Sequence, residues 1–398
     1  MNLLLIKIGK AWHTLRREGV VRGGRRVMTA GMALFHRVRP GDILFITGGV
    51  GDSARYRTEH VSEELREQGF AVSVTVQDNP FLVSYADKFS IFIFHRVLYT
   101  PAVAKLIARI KAEGKEIIFE TDDLVYDPQF LQHMDYFTTM NSWEKKLYEN
   151  GVGGEILADP YVRVCTTSTG YLANKLRERN KQVFVVRNRL SKQDVTWANE
   201  RVAEKNSSII NHQSSIIRLA YFSGTPSHNK DFAVITPVLS RLFAQYPQLR
   251  LVLAGPLDVE NALNQFASQI ERIQFSPRGE HFGNIAHVDI NLAPLQIGNP
   301  FCESKSELKW FEAGIVGVPT VASATEPYRE AITDGVDGYV AVTEEEWQEK
   351  LEKLIENKEE REKMGEQARQ TALARYTTES ANDTEYYEYL RSKIGIRL

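Results

Sequence analysis

Ile91-Phe92-Ile93-Phe94 is an apolar run with no polar break, bounded by Ser90 and His95. A strand with one wet face alternates; an unbroken run belongs to a strand covered on both faces, as in a parallel sheet between helical layers. Stretches 43–47, 71–76, 116–121, 162–166 and 183–186 read as further strands of one parallel sheet, and the segments between them carry helical signals. A helix is expected from about Ser53 to Gln68, closed by Gly69, and another over 102–113. The rhythm breaks at the polar, turn-rich 206–215 and then restarts, with strands at 219–222, 250–253, 273–275 and 288–293 and a helix over 232–245. Charged amphipathic helices follow over 344–357 and 359–375, then a last one over roughly 378–391 that carries Tyr386, Tyr387 and Tyr389.

This alternation predicts an α/β chain of two Rossmann-like doubly wound domains facing a cleft, with ligands outside the carboxyl ends of the strands. At 398 residues the chain exceeds one ordinary core. The expected division is a basic amphipathic leader at 1–39, an N-terminal domain at 40–199, a connector at 200–216, a C-terminal domain at 217–377, and a final helix at 378–398 packing back on the first domain.

A hydrophobic share of 43% and a charged share of 25% are those of a water-soluble globular chain. Cys165 and Cys302 are the only cysteines and form no CxxC or Cys/His cluster, which argues against a disulfide framework or structural zinc and fits a reducing cytoplasm. No apolar run approaches the roughly 20 residues of a membrane span, and the start lacks a signal-peptide core. The net charge of −2 hides an asymmetry, because residues 1–39 carry nine Lys/Arg against the single acid Glu18. Within that leader Leu5, Ile8, Trp12 and Leu15 share one helical face. Two readings stay open: peripheral contact with an anionic membrane surface, or a leader packed on its own protein or partly disordered. Nucleic acid is not expected as a partner, since aromatic platforms and recognition motifs are absent.

The stretch from Asn299 to Ser323 reads as loop, helix, turn and buried strand. Ser304 with Glu307 three residues on is a capping-box signature, which predicts a helix from Lys305, stopped by Gly317 and Pro319. Leu308, Phe311 and Ile315 form one stripe and Lys305, Lys309 and Glu312 a neighbouring one. A helix start with two lysines beside it suits a phosphate, and Glu312 is placed to accept from sugar hydroxyls. Taken alone, the stretch is better read as a surface helix with solvated charges. After the strand at 219–222, Gly224 admits close backbone approach and Lys230 stands where a diphosphate would lie, with Thr225 and His228 between them. Gly49-Val50-Gly51-Asp52-Ser53-Ala54 fits G-x-G-x-x-A, and Asp78 lies where an acid would reach a ribose, which admits a nicotinamide-dinucleotide reading. Arg55 and Arg57 crowd that turn and no His/Arg pair for hydride chemistry is visible, so a glycine turn facing the cleft is the preferred reading. Asp122 and Asp123 are better read as cleft or capping acids than as metal ligands, and His95 as either a cleft residue or a core histidine.

This punctuation resembles the family 4 glycosyltransferases over about residues 41–391. The elements that carry it are Gly48–Gly51, then Gly224-Thr-Pro-Ser-His-Asn-Lys230, then Glu312-Ala-Gly-Ile-Val-Gly-Val-Pro-Thr-Val, the loop 334–340 and the Arg369…Tyr376-Thr377 ending. Thr225 stands where the family has arginine, and Ser304 where it has the first glutamate, with Glu303 one place out of register. The resemblance implies a GT-B fold and retaining transfer of a sugar from a nucleotide-diphosphate donor to a glycan or lipid-linked acceptor hydroxyl, in polysaccharide or glycan biosynthesis, without metal or other cofactor. By position it implies that Lys230 holds the diphosphate, that Glu312 binds ribose hydroxyls, that His95 and Asp123 lie near the donor sugar, and that lysine at 309 is shared with many relatives. The site expected is Lys230, Lys309 and Glu312 as catalytic residues, with Gly49, Gly51, Arg57, His95, Asp122, Asp123, Gly224, Thr225, His228, Ser304 and Lys305 binding substrate. The departures keep a non-catalytic binding relative open as the alternative, with an NAD-binding oxidoreductase behind it.

Overall fold

The computed structural model describes residues 37–49, 51–134, 148–208, 216–224, 229–255, 257, 261–274 and 276–394, together with Gly24, Met28, Gly31, Phe137, Met140 and Lys145. The leader read as a basic amphipathic helix therefore lies almost wholly outside the described residues, as do Thr225 and His228.

The first domain runs β1 (Ile43–Thr47), α1 (52–67), β2 (Val72–Val76), β3 (Ile91–His95), α2 (Pro101–Ala112), β4 (Glu116–Thr121), α3 (Gly154–Ala158), β5 (Val164–Thr167), α4 (Gly170–Arg177) and β6 (Gln182–Val185). Its six strands are parallel, in the order β2-β1-β3-β4-β5-β6. The unbroken runs behave as strands covered on both faces must. Leu44, Ile46, Phe92 and Phe94 enter one core, while Ile43, Phe45, Ile91 and Ile93 enter the core on the opposite face. Each fully buried side chain of this size contributes roughly 1.5–3 kcal/mol. Helix α2 is capped by Thr100, whose hydroxyl accepts from the Val103 amide, with Pro101 in the first turn.

The second domain runs β7 (Ile217–Phe222), α6 (Asn229–Ala233), α7 (Thr236–Gln245), β8 (Leu249–Ala254), β9 (Ile270–Ile273), α8 (Arg278–Ala286), β10 (Ile290–Ala293), α9 (Pro300–Glu303), α10 (Leu308–Gly314), β11 (Thr320–Ser323), α11 (Glu326–Ala331), β12 (Tyr339–Ala341), α12 (Glu344–Glu356) and α13 (Lys358–Arg375). Its strands are again parallel, in the order β12-β11-β10-β7-β8-β9. Two doubly wound sheets make the chain a GT-B fold. Both sheets change direction beside their first strand, between β1 and β3 and between β7 and β10. Those switch points are where open α/β sheets leave a crevice at the strands' carboxyl ends, and each carries a glycine loop, after Thr47 and after Phe222.

Helix α5 (Lys192–Ser208) joins the domains. The polar stretch expected to be a connector is therefore helical up to Ser208, because Val195, Trp197, Ala198 and Val202 pack into the second domain's core. The helix expected from 232 to 245 is two pieces, α6 and α7, with Pro237 near the start of the second. The last helix, α14 (Thr384–Lys393), lies on the first domain: Tyr386, Tyr387 and Leu390 share a core with Ile43, Phe45 and Leu65. No helix among the described residues is long and apolar enough to cross a membrane.

Candidate functional site

The first wall of the site is the carboxyl end of β1, β3 and β4. Gly48 has no alternative there, since a Cβ would lie 1.9 Å from the Arg96 carbonyl oxygen. Gly51, at φ 143°, starts α1 in backbone that favours glycine. The close approach sets the His95 ring among polar groups: Nδ1 is 3.2 Å from Thr47 Oγ1, and Nε2 is 3.1 Å from Ser53 Oγ. Ser53 donates to Asp122 Oδ2 at 2.8 Å. Arg96, held at φ 48°, bridges Asp122 and Asp123. Burial would push the Asp122 carboxyl up, but Arg96, His95 and Ser53 more than reverse this and hold it well below the usual carboxylate range. Burial wins at Asp123, whose carboxyl is raised. His95, Asp122 and Asp123 are thus brought together, and Ser53 and Arg96 complete a cluster that the sequence reading missed. Their positions, directly after a glycine turn and an apolar strand, were the available signal.

The second wall surrounds the loop after β7. Gly224 is exposed, with no atom of the described residues within 4 Å of where a Cβ would lie. Lys230 is exposed in the first turn of α6. Asp231 beside it is buried and takes Lys305 Nζ on Oδ2 at 3.1 Å and the Cys302 thiol on Oδ1 at 3.0 Å. Lys309 donates to the Phe222 carbonyl at 2.7 Å, with its ammonium 5.3 Å from the Tyr221 ring centre. Burial, then the charge of Lys305, pushes the Lys309 ammonium down to about 8. Lys230 in the first turn of α6, Lys305 on Asp231 and Lys309 on the Phe222 carbonyl thus flank the glycine that follows β7 at a switch point, an arrangement suited to a polyanion.

The helix start differs from the capping-box expectation. Ser304 ends the short helix α9, its hydroxyl donating to the Phe301 carbonyl, and the next helix begins only at Leu308. Asn299 is the residue that caps, accepting from the Phe301 amide. Glu307 turns away because Tyr376 and Arg187 both donate to its Oε1, at 2.8 and 3.3 Å. Ser304 is buried, and its carbonyl accepts from Thr169 of the first domain at 3.5 Å.

Glu312 lies where the domains meet. Tyr56 of α1 donates to its Oε1 at 2.6 Å, Arg278 pairs with the same oxygen, and His281 Nε2 is 3.4 Å from Oε2. Arg278 also holds both oxygens of Asp194 at 3.1 Å, and His60 Nε2 stands 3.6 Å from that carboxylate. Burial would raise the Glu312 carboxyl, but Arg278 and then His281 and Tyr56 hold it far below the usual range. Tyr56 sits in a π-helical turn, Arg55–His60, a local widening that recurs at functional sites. Sequence reasoning missed Tyr56, Asp194, Arg278 and His281, which are far apart in the chain and belong to no motif.

Arg57 is placed differently from its expected role. It is 1% exposed, and its guanidinium is engaged by Glu120 Oε1 and Oε2 at 2.8 and 3.0 Å, the Val186 carbonyl at 2.6 Å and Asn188 at 3.0 Å. It ties α1 to β4 and to the segment leaving β6, with no fork left for a ligand. Asn188 in turn donates to Ser306 of the second domain at 2.8 Å.

Residues 212–371 match the family model for glycosyl transferases group 1. The match covers the second domain, including both lysine-bearing elements and Glu312. No curated protein matches the chain by sequence. Among solved structures, the chain is similar to Anabaena HepE in complex with UDP and glucose, at 13% identity and a TM-score of 0.60 over 88% of this chain and 100% of that one. Sucrose-phosphate synthase from Thermosynechococcus elongatus is similar at 11% identity and a TM-score of 0.60, over 89% and 99%. A glycosyltransferase from Rickettsia africae is similar at 13% and 0.59, over 90% and 100%. At such identities the likeness establishes the GT-B fold.

Proposed function

We propose that the chain is a retaining glycosyltransferase that moves a sugar from a nucleoside-diphosphate donor to an acceptor hydroxyl in glycan or polysaccharide synthesis. The observation that carries this reading is the placing of Lys230 at the start of α6, Lys305 on Asp231 and Lys309 on the Phe222 carbonyl, all flanking the exposed Gly224 within the segment that matches the group 1 glycosyl transferases. HepE binds UDP-glucose, which supports a nucleotide sugar as the donor class.

In sugar transfer the anomeric carbon becomes cationic while the departing diphosphate gains charge. Fixed cations aimed at that diphosphate stabilise the transition state more than the ground state. Lys230, at the start of α6, meets the diphosphate, and Lys309 and Lys305 supply charge from beneath it without a metal ion. Glu312, ionised and held by Tyr56 and Arg278, accepts from ribose hydroxyls through its less occupied Oε2. The acceptor lies on the first wall, where His95 and the Asp122–Arg96–Asp123 bridge face the donor sugar. No enzyme nucleophile is needed in a front-face mechanism, in which the leaving phosphate takes the acceptor proton. Membrane-surface association belongs to the leader and is tested by liposome flotation of the full chain against one starting at Pro40.

The test is donor turnover in Lys230→Ala and Glu312→Ala, with folding checked by circular dichroism. Both are expected to lose nucleotide-sugar turnover by about 10²-fold. Wild-type turnover in both would remove the site. A second reading, a non-catalytic GT-B binding protein, is favoured by the occupancy of Glu312 Oε1 by two protein donors. Nucleotide binding with no transfer across a broad donor and acceptor screen would select it.

A further inference from the structure

A groove of about 1160 Å³ runs along the outer edge of β2 and continues into the glycine loop, since Thr47, Gly49 and Gly51 line it. Val76 pairs with Thr47 in register, so the groove leaves the candidate site at the carboxyl end of β2 and follows the strand back to Val72, a length of about 13 Å. Arg37, Arg39 and Arg66 line it, together with Arg55, which pairs with Asp52 at 2.5 Å, and the acid of the lining is Glu59. Two of these cations rest on uncharged groups. Arg66 donates to the Val72 carbonyl from Nε at 3.2 Å and Nη2 at 3.0 Å, and Arg37 lies 4.7 Å from the centre of the Phe81 ring. A carbonyl or a ring leaves the guanidinium charge uncompensated, so the groove keeps a positive excess. Of its hydroxyl residues Ser73 is half-buried and donates to the Arg39 carbonyl at 3.1 Å, whereas Thr58 and Thr75 are buried, and its aromatic residue, Phe70, is buried too and offers no stacking platform.

We propose that this groove holds the length of an acidic oligosaccharide acceptor, with carboxylates on successive sugars and its reacting hydroxyl end at Gly49–Gly51. The proposal rests on the glycosyltransferase reading and adds the charge of the acceptor. Guanidinium forks match carboxylates bidentately, and an extended anion fits an edge about 13 Å long that opens at the transfer site. An uncharged glycan would leave the arginines without complement. A nucleic acid would lack its aromatic stack.

The test uses the full chain and a fluorescent oligogalacturonate, with a maltooligosaccharide of equal length as the neutral control. Stabilisation by nucleoside diphosphates is measured in the same samples. The acidic oligomer is expected to bind at low salt and the neutral one not. Arg37→Glu with Arg39→Glu, both exposed, is expected to weaken acidic binding tenfold or more and leave nucleotide stabilisation unchanged. Three results overturn the proposal while leaving the glycosyltransferase reading intact, provided nucleotides still stabilise the protein. These are no acidic binding, equal binding of both oligomers, and acidic binding unaffected by the double variant. Arginine-dependent capture by phosphatidylglycerol vesicles with no oligomer binding would also overturn it and assign the groove to a lipid surface. Loss of nucleotide stabilisation in the wild-type protein would remove both readings.

Discussion

Lys309→Met is expected to lower kcat/KM for the nucleotide sugar by about 10²-fold or more, because it removes a half-buried cation at the proposed diphosphate site while keeping the side chain's volume. The pH profile separates this role from a packing role. Burial, then Lys305, places the Lys309 ammonium at about 8, so the group is cationic below that pH and neutral above it. Since kcat/KM reports the free enzyme, wild-type activity should fall as pH rises through about 8. The residual activity of Lys309→Met should lack that alkaline limb. Unchanged activity, or an alkaline limb that survives in the variant, would show that Lys309 only anchors the Phe222 carbonyl.

Arg57→Ala is expected to destabilise the first domain by about 3–5 kcal/mol, the cost of leaving a buried ionic partner uncompensated. Glu120 is 2% exposed and would keep only the Thr166 hydroxyl among the partners described here, while the Val186 carbonyl and Asn188 would each lose a donor. Urea unfolding followed by circular dichroism measures the change. The double variant Arg57→Leu with Glu120→Leu should recover much of the loss, because it removes both charges rather than one. A loss below about 1 kcal/mol in Arg57→Ala would mean that water reaches the pair and that Arg57 is free to act in the cleft after all.

The contrast between Lys309 and Arg57 marks what can be read from this sequence. Strands such as 43–47 and 91–95 were legible because Ile43–Ile46 and Ile91–Phe94 are apolar without a break, as the covered part of such a strand requires. The lysines were legible because short motifs fix their distance from a glycine turn. Arg57 was not, since an arginine next to a glycine loop reads as a ligand contact until Glu120 and Val186, 63 and 129 residues later, are folded onto it. The Ser304 cap failed for a similar reason. The local pattern was sound, but Tyr376 and Arg187 draw Glu307 away and the Phe301 carbonyl takes the serine hydroxyl. The Tyr56–Glu312–Arg278–Asp194 network joins four remote segments across two domains, and no periodicity or spacing announces it.

The most direct test of the central claim is thermal stabilisation of the wild-type protein and Lys230→Ala by UDP, GDP, dTDP, ADP and NAD, each with and without magnesium. The account predicts that one nucleoside diphosphate stabilises the wild-type protein without magnesium and that Lys230→Ala loses most of that shift. Stabilisation by NAD alone, or by no nucleotide, would contradict it.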